Sequence, residues 1–179
     1  MDSNPAGVVH DTRPDPNLPQ QIAKIQSDID DHIDGHPERK QDAELMRSIP
    51  GVGPRASAQF LAYIWDVRRF KSAKALAAFV GVTPRQKQSG TSINGRAMIS
   101  RAGHTAARKL LYMPGMVAKR HNPVIIAMTR RLEKKGLAPK AIVGASMRKL
   151  VHLIYGVITS GQPFRAEIPM AGLEIQEGS

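Results

Sequence analysis

Proline and glycine divide the middle of the sequence into segments of helical length. These breaks fall at Gly35–Pro37, Pro50–Pro54, Gly81, Asn122–Pro123 and Gly136–Pro139. Proline is tolerated in the first turn of a helix, and glycine commonly follows the last, so breaks of this kind bound helices. No segment alternates apolar and polar residues over a useful length, as a half-buried strand would. The sequence therefore predicts an all-α fold.

An apolar seam marks the first helix. Its residues are spaced by steps of four and three: Leu18, Ile22, Ile25, Ile29 and Ile33. This is one stripe of a helix and is close to a heptad repeat. A single helix of this length is marginal in water and needs a partner. Two interpretations stay open, a coiled-coil contact of a homo-oligomer through 18–33 or a helix folded onto its own domain.

The rest of the chain is assigned to a few regions. Residues 1–17 are rich in Pro, Asp and Asn and are expected to form a disordered tail. A coiled-coil-like helix is predicted over 18–36, a helical domain over 38–164 and a second tail over 165–179. Within the domain, helices are predicted over 38–47, from 54, over 73–80, 104–120, 123–135 and 139–160. Pro114 and Gly115 should kink or split one of them. Tyr63, Tyr112 and Tyr155 lie in apolar helical runs and are predicted to pack.

The charge of the chain is strongly uneven. The net charge is +11, yet the first 47 residues carry ten Asp and Glu against five Lys and Arg. Between Arg55 and Leu150 there are twenty Lys and Arg, and the only acids are Asp66 and Glu133. Such an excess repels itself unless a polyanion supplies the countercharge, and nucleic acid is the usual one. An inert, solvated basic surface is the alternative.

Composition excludes several classes of protein. The chain has no cysteine, which rules out disulfides, thiol catalysis and cysteine-based zinc sites. No window reaches the length of uninterrupted apolar sequence that a membrane span needs. The N-terminus lacks the basic start and apolar run of a signal peptide. The simplest expectation is a cytoplasmic bacterial protein without a metal site of its own.

The stretch "SIPGVGPRASAQFLAYI", Ser48–Ile64, has the pattern of a helix-hairpin-helix motif. Gly51 and Gly53 have no side chains, so backbone amides there could approach a phosphate closely. The following helix would add the positive end of its dipole at the same place, next to Arg55. The usual use of such a hairpin is a sequence-independent grip on the DNA backbone. The alternative is an ordinary tight turn between two helices.

The stretch "GVTPRQKQSGTSINGRAMISRAGH", Gly81–His104, holds three serines, Ser89, Ser92 and Ser100, and four basic residues but no acid. It is either a flexible solvated loop or a loop that presents a nucleophile to a phosphate. A serine hydroxyl needs a base or strong electrostatic help, and basic side chains stabilise the charge that builds on phosphoryl oxygens. Ser89 and its competitor Ser92 are the candidate nucleophiles. The predicted phosphate-binding residues of the loop and the helix after it are Arg85, Lys87, Gly90, Arg96, Arg101, Arg108 and Lys109.

From the hairpin to "SRAGHTAARKLLY" the sequence resembles a known family. The "RF" before "KSAKALAAFVG", then "GVTP" and "QSG", occur in a specific order. The resemblance is to the C-terminal, serine-containing domain of the IS-one-ten family of bacterial insertion-sequence transposases, which also includes the pilin-gene-inverting recombinase. It implies DNA transposition, with Ser89 of "QSG" as the nucleophile. It also implies a structured guide RNA, the bridge RNA, that pairs with target and donor DNA.

In that family a RuvC-like domain with four acidic metal ligands precedes the serine domain. No strand-rich segment with spaced acids precedes Leu18, so we expect the chain to be incomplete alone. We expect it to bind no cofactor itself, with Mg²⁺ and the RuvC-like acids supplied in trans. The predicted function is a serine-dependent DNA transposition or recombination domain. The alternatives are a non-catalytic helix-hairpin-helix module that binds nucleic acid and a decayed transposase remnant.

Overall fold

The computed structural model describes residues 15–85, 98–99 and 103–166. These residues form seven helices and one pair of two-residue strands. In chain order they are α1 (Leu18–Asp34), α2 (Pro37–Arg47), α3 (Pro54–Tyr63), α4 (Ala73–Val80), β1 (Pro84–Arg85), β2 (Met98–Ile99), α5 (Thr105–His121), α6 (Pro123–Lys134) and α7 (Pro139–Ser160). The all-α fold class is confirmed. Most of the two predicted tails, residues 1–14 and 167–179, lies outside the described residues.

The helices begin and end close to the proline and glycine breaks in the sequence. A proline occupies the first turn of α2, α3, α6 and α7. The hydroxyl of Ser72 accepts the amide of Ala75 at 3.2 Å and caps α4, and Gly81 ends that helix at φ 78°. The side chain of Asn122 accepts the amides of Val124 and Ile125 and caps α6. Residues at the helix ends thus account for these boundaries.

Helix α7 is the centre of the core. It packs against α2, α4, α5 and α6, and its apolar residues from Ile142 to Ile158 are largely buried. The core is built from Ala, Val, Leu, Ile and Met, with Phe60 as its one fully buried aromatic among the described residues. By length and composition α7 is the one described helix that could cross a membrane. Its burial inside this fold explains its apolar character instead.

Helix α5 runs unbroken through Pro114 and Gly115, so the predicted split does not occur. Both residues are buried. A Cβ atom added at Gly115 would lie 2.8 Å from Cγ of Met147 in α7. The glycine therefore lets α5 approach α7 closely. Pro114 has no backbone amide to donate, so α5 lacks one helical hydrogen bond at this position.

Polar contacts fix α2 and the α3–α4 connection to the core. The Arg68 guanidinium donates to both carboxylate oxygens of Asp42, at 2.8 and 2.7 Å, and to the carbonyl of Ile158 at 3.2 Å. The Asp42 partner raises the pKa of Arg68. The Arg39 guanidinium lies 3.2 Å from the ring centre of Trp65, as in a cation–π contact. These contacts join α2 to the segment between α3 and α4.

Helix α1 lies beside α2 and α3 but leaves the start of its seam uncovered. The side chains of Leu18, Ile22 and Ile25 are 46, 43 and 58% exposed. The helix thus contacts its own domain while three residues of its seam remain exposed. Both interpretations stay open, and the homo-oligomer stays a prediction.

Candidate nucleic-acid interface

The hairpin between α2 and α3 packs tightly on α5. Gly51 adopts φ 106°, and a Cβ atom added there would lie 2.6 Å from Cβ of Ala118. The side-chain amide of Asn122 donates to the carbonyl of Pro50 at 3.4 Å. Packing and backbone conformation therefore require glycine at position 51, whatever the hairpin binds.

Gly53 lies in a different environment. It is the exposed N-cap of α3, with φ −91° and ψ 175°, and an added Cβ atom would meet nothing within 4 Å. Arg55 in the first turn of α3 is also exposed. The hairpin thus presents Gly53, Arg55 and the positive end of α3 to solvent, where an anion could approach them.

A backbone clamp closes the base of the serine-containing loop. Pro84 pairs with Ile99 and Arg85 with Met98 in an antiparallel ladder. Below it, a Cβ atom added at Gly103 (φ 110°) would lie 2.5 Å from Cα of Gly81. Two backbones this close leave room only for glycine. The two ends of the loop are therefore held together.

Helices α4 and α5 join this clamp. The amide of His104 donates to the carbonyl of Phe79 at 2.8 Å, and the Arg108 guanidinium donates to the carbonyl of Gly81 at 3.4 Å. Lys109 beside it is exposed. Arg108 and Arg85 therefore both belong to the base of the loop.

The loop itself lies outside the described residues. This applies to both candidate nucleophiles and to most of the predicted phosphate-binding residues, namely Ser89, Ser92, Lys87, Gly90, Arg96 and Arg101. Ser89 is four residues from Arg85, so the chain can carry it at most about 14 Å from the ladder. The structure describes where this loop starts and ends.

The predicted site residues fall into two groups. Helices α3 and α5 are antiparallel, because Gly51 meets Ala118 at one end and Tyr63 meets His104 at the other. The hairpin lies at the first end and the loop base at the second. Fourteen residues of α5 separate them, about 21 Å at 1.5 Å per residue. The two groups could therefore contact different phosphates, but not the same one.

Sequence reasoning missed a basic group on α7. Burial lowers the pKa values of Arg148 and Lys149. One turn on, His152 is 6% exposed, and its Nε2 has no hydrogen-bond partner among the described residues. Burial and then the charges of Arg148, Lys149 and Lys74 lower the His152 pKa to about 4, so this ring is uncharged at neutral pH. The sequence feature that could have revealed this group is the presence of Arg148, Lys149 and His152 within the otherwise apolar α7.

Sequence reasoning also missed exposed aromatic side chains. Tyr63 and Tyr112 are 46 and 51% exposed, so the prediction that they pack was wrong. Tyr155 does pack, and its hydroxyl donates to the carbonyl of Phe70 at 3.0 Å. Both exposed tyrosines lie on amphipathic helices, where one ring can point outward although its neighbours are apolar.

A Mg²⁺ site does not fit the described residues. Mg²⁺ prefers several oxygen ligands, usually carboxylates with water or phosphate. Within the described ranges no three His, Asp or Glu side chains group in a way that could hold a metal ion. Acids for such an ion would have to come from elsewhere.

A protein-family model matches the part of the chain that contains the hairpin, the serine-containing loop and helices α3, α4 and α5. Residues 43–130 match the model described as the Transposase IS116/IS110/IS902 family. This part of the chain is therefore similar to transposases of the IS116/IS110/IS902 family. The hairpin from Pro50 and the loop base at Gly81 and Gly103 both lie inside the matched residues, which end within α6.

Individual relatives agree with this assignment. The chain is 35% identical over 148 residues to the pilin gene-inverting proteins of Moraxella lacunata and Moraxella bovis, which covers 82% of this chain. It is 26% identical over 149 residues, 77% of this chain, to the transposase for insertion sequence element IS1111A of Coxiella burnetii. The chain spans 46% of the length of the Moraxella proteins and 38% of the Coxiella one. It is thus similar to these proteins over a region that makes up under half of their length.

Proposed function

We propose that this chain is the serine-containing part of a DNA transposase or recombinase, with Ser89 as its nucleophile. The observation that carries the proposal is the clamp at Gly81 and Gly103 inside a transposase-family domain. A nucleophile on a loop must be held against a rigid base to reach a phosphate in a defined geometry. The clamp supplies such a base next to Arg108 and Lys109.

The proposed reaction is a phosphoryl transfer. The Ser89 oxygen forms a bond to phosphorus, and the bond from phosphorus to one strand oxygen breaks. The hydroxyl proton passes to a base, and the departing strand oxygen takes up a proton. Arg85, Lys87, Arg96 and Arg101 neutralise the phosphoryl oxygens as charge builds on them. The product is a serine ester that joins the chain covalently to cleaved DNA.

The hairpin is the second point of contact in this proposal. Exposed Gly53 and Arg55, at the positive end of α3, bind a backbone phosphate roughly 20 Å from the loop base. Successive phosphates of one strand are a few ångströms apart, so the two contacts bracket several nucleotides. A grip of this kind positions the strand without reading its sequence.

In this proposal, partners supply the metal ion, its carboxylate ligands and the selection of the DNA site. Mg²⁺ and the carboxylates that hold it come from a RuvC-like domain, and a guide RNA selects the DNA. The uncovered seam on α1 joins a second copy of the chain. The reaction takes place in the bacterial cytoplasm.

A non-catalytic binding module is the second candidate. The specific observation in its favour is that the described residues lack a carboxylate cluster near the loop base. In that case the chain grips nucleic acid through the same two groups and forms no ester.

The test is covalent trapping on DNA. Ser89→Ala and its matched control Ser92→Ala are compared in a reaction that contains Mg²⁺ and a RuvC-like domain in trans, with adducts read on a denaturing gel. Ser89→Ala should abolish the adduct and change DNA affinity by only a few-fold, because one neutral hydroxyl contributes about 0.5–1.5 kcal/mol. Adducts that persist in Ser89→Ala, or disappear only in Ser92→Ala, contradict the assignment. Binding without any adduct in the unmodified chain supports the second candidate.

A further inference from the structure

Aromatic rings gather on the surface beside the loop base. The rings of Tyr63 and His104 are 5.5 Å apart edge to face, and those of Phe79 and His104 are 6.0 Å apart and nearly parallel. Phe79 also lies 5.2 Å from Phe70. We call Tyr63, Phe79 and His104 the aromatic patch. All three are exposed.

This placement is unusual for the chain. It has only eight Phe, Tyr and Trp residues in all, and Tyr63, Phe70 and Phe79 meet at this one place. The core could have buried them, since it is made almost entirely of aliphatic side chains. Exposed aromatic groups that cluster in this way generally mark an interaction surface.

The charge around the patch points to an anionic partner. The Arg69 guanidinium lies 4.9 Å from the ring centre of Phe70 and 5.3 Å from that of Phe79. Arg108 reaches the clamp from α5. Asp66 is the only acid from Ser48 to Leu132, and its carboxylate accepts the amide of Arg68. Aromatic faces flanked by arginines suit nucleobases with their phosphates attached, because the rings stack on bases while the cations hold the backbone.

We propose that the aromatic patch stacks unpaired bases of single-stranded DNA next to the loop. This rests on the proposed function, which places a phosphate of the cut strand at that loop. Paired bases in a duplex are covered by their neighbours, so the rings can stack only on bases that have left the helix. The patch thereby favours an opened strand at the place where the phosphate is attacked.

The test uses a single-stranded DNA oligonucleotide with 2-aminopurine in the middle and the same sequence as a duplex. Stacking on Tyr63 should quench the 2-aminopurine fluorescence when the full chain binds the single strand. Tyr63→Leu keeps an apolar side chain at the end of α3 but removes the ring. It should weaken single-strand binding roughly tenfold and remove the quenching, with duplex affinity unchanged.

Two variants serve as controls. Tyr112→Leu removes a comparably exposed ring on α5 outside the patch and should change neither affinity nor quenching. Tyr63→Trp restores an aromatic face and should restore both, which a merely structural role of Tyr63 would not require. Circular dichroism verifies that each variant is folded.

The following results would contradict the stacking proposal, and each has a different meaning. Unchanged single-strand binding and quenching in Tyr63→Leu show that the patch does not stack bases. Equal losses on single strand and duplex show a general defect in binding. Quenching with an RNA strand but not with DNA assigns the patch to RNA. Salt-dependent duplex binding without quenching leaves the proposed function standing while this inference fails, whereas no binding to either DNA contradicts both.

Discussion

At the scale of single residues, the two hairpin glycines lie in different environments. The pattern around Pro50 predicts a close approach of backbone to phosphate at both Gly51 and Gly53. The structure shows Gly51 against Ala118 in α5 and Gly53 open to solvent. Sequence alone cannot separate them, because the close neighbour of Gly51 is 67 positions away in the chain.

Replacement of each glycine by valine separates packing from binding. Gly53→Val fits the extended backbone and should keep the fold, while DNA affinity falls about two- to tenfold as the amide contact with phosphate is blocked. Gly51→Val should cost several kcal/mol of unfolding free energy, because it adds a clash to a left-handed backbone. Urea unfolding and fluorescence anisotropy with labelled duplex DNA measure the two effects. Unchanged binding by a folded Gly53→Val protein would show that the hairpin is only a turn.

At the scale of elements, the sequence predicts the helices well because their boundaries are local. Ser72, Asn122 and the first-turn prolines act within a few residues of themselves, so their effect can be read from the chain. The sequence did not predict that α5 continues through Pro114 and Gly115. At the same place Gly115 lies against Met147 of α7, a contact between segments distant in the sequence. The β1–β2 ladder is likewise too short to leave an alternating pattern.

The exposed seam of α1 gives a prediction at this scale. Ile22→Asp together with Ile25→Asp should reduce self-association, because charges on a coiled-coil seam are desolvated when the helices meet. Sedimentation velocity of the full chain should show a shift toward the monomer. Gln20→Asp together with Ser27→Asp adds the same charge off the seam and is the control. Equal sedimentation of all three proteins would mean that α1 mediates no contact between copies.

At the scale of the whole molecule, charge is the property that the sequence predicts most directly, since it needs no fold. The fold shows how the charged side chains are arranged in space. Asp42 of α2 pairs with Arg68 of the basic region, and basic side chains lie both at the hairpin and at the loop base. Half-buried Arg148 and Lys149 near uncharged His152 could not be located without the packing of α7. The position of Ser89 stays a prediction, because the loop lies outside the described residues.

The two groups of basic side chains predict a steep dependence of DNA binding on salt. Each phosphate contact releases a condensed counterion, so six or more contacts should lower the affinity for duplex DNA about a thousandfold between 50 and 200 mM salt. Lys109→Ala should reduce the slope of log affinity against log salt by about one and weaken binding similarly on unrelated sequences. Lys24→Ala, which removes an exposed lysine from α1, should leave the slope unchanged. Anisotropy titrations at several salt concentrations measure these slopes. A flat titration would mean that the basic surface between Arg55 and Leu150 binds no nucleic acid and that its excess charge is only solvated.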